Sequence, residues 1–214
     1  AYMRSNDLDM AACGSLFVDA DTMKVRGIRN IQSNVILEGA LFESCFPQYY
    51  QIMRTHWAKM YRLDVIKKMN LSNCNIIPYG SDTLFVREAL LMSNRVGIMP
   101  EALYRYYVYP EVRDYNVVKG RTNAPRVLLE RDISFLLQKC GSISSNTIEW
   151  LINVYLQENI DVFNLVLSNR DDSRQKIEDI YFVLSSTPCR MAMRLGARGK
   201  YTYCLLYTSP SPRD

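Results

Sequence analysis

A chain of 214 residues that is 48% hydrophobic and 22% charged has the composition of a folded, soluble protein of one ordinary domain or one and a half. The net charge of +4 comes from scattered Lys and Arg, which excludes the clustered basic surface of a nucleic-acid binder. No apolar run reaches the ~18 residues that span a bilayer. The six Cys lie far apart without a CxxC, and His56 is the single histidine, which argues against a zinc site or a Cys–His nucleophile. Such cysteines read as reduced thiols of a cytoplasmic protein.

The chain opens on Ala1 with no initiator Met and no signal-peptide pattern, which reads as an internal fragment. "DLDMAACGSLFVD" (Asp7–Asp19) has a continuous apolar centre and predicts a buried strand. "NVILEGALFESCF" (Asn34–Phe46) has helical spacing at Val35, Leu37, Ala40, Leu41 and Cys45, with Pro47 closing it. "THWAKMYRLDVIKKMNL" predicts a short extended entry and a helical turn around Asp64–Met69. "NCNIIPYGSD" predicts a strand that stops at Pro78 and Gly80. A helix follows, with Ser81 as N-cap and Asp82 in the first turn.

"RVGIMPEALYRYYVYP" (Arg95–Pro110) predicts two short strands. From Ala124 the pattern is helical in four segments: "APRVLLERDISFLLQKC", "SNTIEWLINVYLQE", "NIDVFNLVLSN" and "SRQKIEDIYFVLSS". Pro125 sits at a helix start and Pro188 ends the last helix. The mixed run "NRDDSRQKIED" (Asn169–Asp179) reads as a solvated helix start. The tail "CLLYTSPSPRD" (Cys204–Asp214) matches, residue for residue, a translation of a transposon-type sequencing adapter. It is set aside from the fold. The expected organisation is an α/β part over 1–116, a helical extension over 117–203 and adapter read-through over 204–214.

A carboxylate in the first turn of a helix offsets the helix dipole or faces a cleft as a base. Local sequence leaves both open for Asp82 and favours the first. Trp57 and Tyr61 suit a core, with Lys59 and Arg62 reaching solvent. The tyrosines at 104, 106, 107 and 109 alternate across a strand, so about half should be buried. His56 reads as a strand-end residue rather than a catalyst.

"HWAKMYRLDVI" (His56–Ile66), "PYGSDTLFVREAL" (Pro78–Leu90) and "VGIMPEALYRYYVY" (Val96–Tyr109), in that order, resemble the second half of bacterial glycosyltransferase family 2 enzymes. Members carry a W-x-K-L-Y-R segment, then a G-[END]-D-x-x-F helix start, then an I-x-x-P-L-Y-x-Y strand pair. "NDLDMAACGSLFVD" is similar to a strand that precedes them. The resemblance covers roughly residues 6–116. Ser81 departs from it, standing where many members have Glu or Asn.

The resemblance implies an α/β fold: the acceptor-side half of a GT-A (Rossmann-like) domain, followed here by an all-helical C-terminal extension. It implies inverting transfer of a sugar from a nucleotide-sugar donor to a glycan or lipid-linked acceptor of the cell envelope, with Asp82 as general base. Trp57 is expected to stack on a sugar, and Lys59 or Arg62 to face a diphosphate. Ser81, Arg105 and Tyr106 are expected on the acceptor side. The intact enzyme is expected to use a divalent metal, Mg or Mn, with no ligand in this chain.

"FVDADT" (Phe17–Thr22) imitates the family's D-x-D metal motif, but only 35 residues separate Asp21 from Trp57. Asp19 and Asp21 therefore read as loop acids, and the donor-binding half is expected upstream of Ala1. The fragment by itself is expected to be inactive, cytoplasmic and in peripheral contact with the inner face of the membrane. The rival expectation is a non-catalytic interaction module that binds a partner through its helices. "TIEWLINVYLQENIDVFNLVL" is apolar nearly all round and leaves room for one.

Overall fold

A computed structural model describes residues 1–74, 76–77, 79–109, 121–168 and 173–196, the last four by backbone alone. Among the described residues five strands form one mixed sheet: β1 (Met10–Asp19), β2 (Val25–Arg29), β3 (Val35–Leu37), β4 (Lys59–Tyr61) and β5 (Val96–Val108). The order is β2-β1-β5-β3, with β4 beside the first residues of β1. β1 and β5 are parallel, while β2, β4 and β3 run antiparallel to their neighbours. β1 lies in the middle of the sheet, which is why "MAACGSLFVD" is apolar almost throughout rather than alternating.

Helices α1 (Tyr2–Ser5), α2 (Leu41–Ser44), α3 (Phe46–Tyr49), α4 (Leu63–Lys68), α5 (Ser81–Met92), α6 (Ala124–Cys140), α7 (Ser145–Ser168), α8 (Ser173–Ser185) and α9 (Thr187–Gly196) complete the α/β architecture. The strand at 10–19, the extended entry before α4 and the helices from 124 onward follow the sequence expectation. Six details differ.

Val35–Leu37 is a sheet edge rather than a helix start. Val35 pairs with Ile98 and Leu37 with Val96, and Gly39 then breaks the chain with a φ of +51°. Pro47 does not close a helix; it sits in the first turn of α3, where its missing N–H costs nothing. Ile76 and Ile77 form no strand. They follow a 3-10 turn at Leu71–Cys74, and Ile77 buries itself against Leu84, Val127 and Leu128 instead.

β5 is one long strand, not two. Between Ala12↔Ile98 and Gly14↔Ala102, β1 advances two residues and β5 four; this irregularity accommodates Pro100. α7 is continuous through Asn159, whose buried side chain donates to Tyr155 O at 2.7 Å within the helix. Pro188 lies inside the first turn of α9 rather than ending a helix. Pro78, the boundary at 116/117, the acidic pair at 171–172 and the tail from Cys204 lie outside the described residues.

The main core joins sheet and helices. Met10, Val96 and Ile98 share it with Phe42, Phe46, Tyr50, Val86, Leu90, Phe135, Leu136 and Leu151. Charges cross the same interface: Arg54 pairs with Glu158 of α7 at 2.6 Å, and buried Arg87 of α5 pairs with Asp132 of α6. No helix among the described residues is long and apolar enough to cross a membrane.

Candidate functional site

The head of α5 is built from glycine. Gly80 takes a φ of +92°, and a Cβ there would lie 3.2 Å from both methyls of Leu128. Gly80, not Ser81, is therefore the N-cap; Ser81 is the first helical residue and makes no side-chain cap. Asp82 does fall in the first turn, as the sequence predicts. Next to it, the buried Thr83 hydroxyl donates to Arg54 O at 2.9 Å, tying the helix head to the turn at 52–54.

That tie brings His56 to Asp82. Nδ1 of His56 lies 3.1 Å from Oδ1 of Asp82, with the side chains 58% and 43% exposed. The imidazole also meets the edge of Phe85, at 6.3 Å between centroids. Tyr61 of β4 donates its hydroxyl to His56 O at 3.2 Å and packs edge-on against the same Phe85. Burial raises the Tyr61 phenol well above its ordinary value, and the nearby Asp82 charge adds to this.

Trp57 turns onto the sheet. Its indole stacks on Tyr104 and Tyr106, at 4.9 and 5.2 Å between centroids, and meets Phe17 edge-on. The stack leaves the indole only part-buried. Arg29 lies 5.1 Å from the Phe17 centroid at the rim of this aromatic cluster. Arg105 alternates onto the other face of β5 and is exposed there, away from Trp57 and Tyr106.

Lys59 points inward. Its Nζ donates to Ile52 O at 2.7 Å and Trp57 O at 3.1 Å, so the ammonium holds the 52–57 segment in place. Burial, reinforced by Arg29, brings its pKa down from 10.5 to about 7. The next residue back, Ala58, sits at a φ of +59°, in the left-handed region that L-residues avoid.

The site therefore joins Asp82, Lys59, Trp57 and Tyr106 through one stitched segment, keeps Ser81 at the helix head and leaves Arg105 outside. Sequence reasoning missed His56 and Tyr104. Tyr104 shares parity with Tyr106 and could have been read from the strand period. Nothing in the local sequence around His56 signals its meeting with α5.

The described residues do not fit a divalent cation. Among the described residues no three His, Cys, Asp or Glu side chains gather as ligands. In the β1–β2 turn, Oδ1 of Asp19 accepts from the amides of Asp21 (3.0 Å) and Thr22 (2.7 Å), and Oδ2 pairs with Arg26. Asp21 is exposed.

Bonds from Thr22, then those from Arg26 and the Asp21 amide, bring the Asp19 carboxyl from 3.8 down to about 2. The folded state thus holds the stronger acid. Its contribution to stability is complete above the unfolded value and is lost as pH falls through about 2. Asp19→Asn is expected to flatten the acid-unfolding curve across that window. Superimposable curves for the two chains would refute the assignment.

No protein-family model matches the chain, and no curated protein matches it. Among solved structures, the crystal structure of S. aureus TarS 1-349 in complex with UDP-GlcNAc aligns with 94% of this chain at 14% identity and a TM-score of 0.37. The chain spans 63% of the length of that chain.

Proposed function

We propose that this chain is the acceptor-side half of an inverting GT-A glycosyltransferase, with Asp82 as the general base. The observation that carries the reading is the half-exposed Asp82 carboxylate at the head of α5, 3.1 Å from His56 in the segment that seats Trp57. A base must present an accessible carboxylate to the proton that it removes.

In the reaction, the acceptor hydroxyl gives its proton to Asp82 as its oxygen bonds to the anomeric carbon. The bond from that carbon to the diphosphate breaks, and the nucleoside diphosphate leaves with its electron pair. The part-buried Trp57 indole, stacked with Tyr104 and Tyr106, offers an aromatic surface for a sugar ring. Ser81 stands beside the base as a hydroxyl partner for the acceptor. Lys59 acts through the backbone rather than on a phosphate, since its ammonium is turned to Ile52 O and Trp57 O. Arg105 has no part on this face.

Donor binding, together with any Mg or Mn, belongs to a segment outside this chain. The acceptor is a glycan or a lipid-linked saccharide, reached on the cytoplasmic side of the membrane.

The test is Asp82→Asn in the complete enzyme. Its transfer rate is expected to fall about 100- to 10,000-fold with donor binding retained. Undiminished transfer would sink the reading. Turnover of a nucleotide sugar by this chain alone would contradict the missing donor half.

One observation favours a second reading. Ile177, Tyr181 and Phe182 stand exposed along α8, an apolar stripe of the kind that binds a partner. Absence of any transfer by the complete protein would move the weight to that non-catalytic role.

A further inference from the structure

We propose that His56 is a positioning residue for Asp82. His56 Nδ1 lies 3.1 Å from Oδ1 of the carboxylate; in the proposed arrangement it turns its N–H onto that oxygen and leaves Oδ2 as the oxygen that takes the proton. This rests on the reading of Asp82 as the base.

An exposed ion pair on free side chains contributes little, because ordering both groups offsets the attraction. Here much of that ordering is already supplied. The Tyr61 hydroxyl holds His56 O, and Lys59 Nζ holds Trp57 O, the next carbonyl along. Phe85 supports the imidazole edge. On the other side, Thr83 fixes the first turn of α5 to Arg54 O. Between Trp57 and Lys59 the backbone passes through the left-handed Ala58, at a φ of +59°. Two stretches distant in sequence are therefore locked together, and the His56–Asp82 contact closes between them. The titratable groups around the pair are Lys59 and Tyr61 on β4, both of which feel the Asp82 charge.

A base must sit within about 3 Å of the proton that it removes. An Asp at a helix head has two carboxylate oxygens and rotates freely unless something holds one of them. His56 supplies that hold. Donation from Nδ1 also dictates the imidazole tautomer: the neutral ring carries its proton on Nδ1 and leaves the Nε2 lone pair to solvent.

Two measurements test this. Since His56 is the single histidine in the chain, nitrogen NMR of this chain reads its tautomer without ambiguity. The Nδ1–H form is expected in the unmodified chain at alkaline pH, and the Nε2–H form in Asp82→Ala. An Nε2–H ring in the unmodified chain overturns the proposal, whatever the enzyme does.

The second measurement compares His56→Asn with His56→Ala in the complete enzyme. The Asn amide places a donor where Nδ1 was, so His56→Asn is expected to keep most of the transfer rate. His56→Ala is expected to lose up to about 100-fold, the effect of a misplaced reacting group. If both variants are equally inactive, the imidazole itself is the proton acceptor and the positioning role is overturned. A silent Asp82→Asn alongside an Nδ1–H tautomer removes the base assignment, and the role with it, while the contact stands.

Discussion

Arg87→Met is expected to cost about 3–5 kcal/mol of folding stability, because it strands a buried carboxylate. The Arg87 and Asp132 side chains are 4% and 2% exposed, and Nε of Arg87 donates to Oδ1 of Asp132. Nη1 of Arg87 donates to Met53 O at 3.1 Å. The guanidinium lies 5.2 Å from the Phe46 centroid, 5.4 Å from Tyr50 and 5.8 Å from Phe135, so aromatic faces fill the space that water would otherwise take.

Burial already raises the Asp132 carboxyl above its ordinary value, and Arg87 pulls against that rise. Without Arg87 the carboxyl must stay buried in its protonated form or draw water into the core. The double variant Arg87→Met/Asp132→Leu removes both charges and is expected to recover most of the loss. Urea unfolding of the three chains decides the matter. A single variant costing under about 1 kcal/mol would mean that the pair is not desolvated as described. The same variant frees Met53 O beside the turn at 52–54, so it also loosens the anchor of Thr83 below the site.

How far the fold and site were legible in the sequence depended on how local each cause is. The apolar run of β1 and the position of Asp82 within the first turn of α5 rest on neighbours a few residues away, and both follow from the text. Val35–Leu37 does not: its helical spacing is real, but the open edge of β5 recruits it as a strand. Asn159 looks like a break because Asn competes with the helical backbone, yet its side chain bonds back within α7 and the helix runs on. Pro100 looks like a strand end, and the register shift against β1 absorbs it. Lys59 reads as a solvent-reaching cation until the carbonyls of Ile52 and Trp57 turn out to surround it. His56 is the sharpest case, since its partner is set by a tertiary hydrogen bond from Thr83 and by no sequence period.

Phe46→Ala is expected to destabilise by about 3–5 kcal/mol, the range for emptying a buried aromatic site. Phe46 is fully buried within the main core. Its ring lies 5.3 Å from Tyr49 and 5.5 Å from Tyr50, on its own side of the molecule. It lies 6.2 Å from Phe135 of α6 and 5.8 Å from Trp150 of α7, on the helical side. The volume left by deletion has rings on several sides, and these cannot all collapse into it at once. Phe46→Leu keeps much of the volume and is expected to cost less than half as much.

Because one ring bridges both parts, the loss should not be confined to α3. Amide exchange is expected to accelerate in β1 and β5 and, in step with them, in α6 and the first half of α7. Exchange that quickens in the sheet while α6 and α7 stay protected would show that the helices hold without this ring. The contacts of Phe135 and Trp150 with Phe46 would then be packing without coupling.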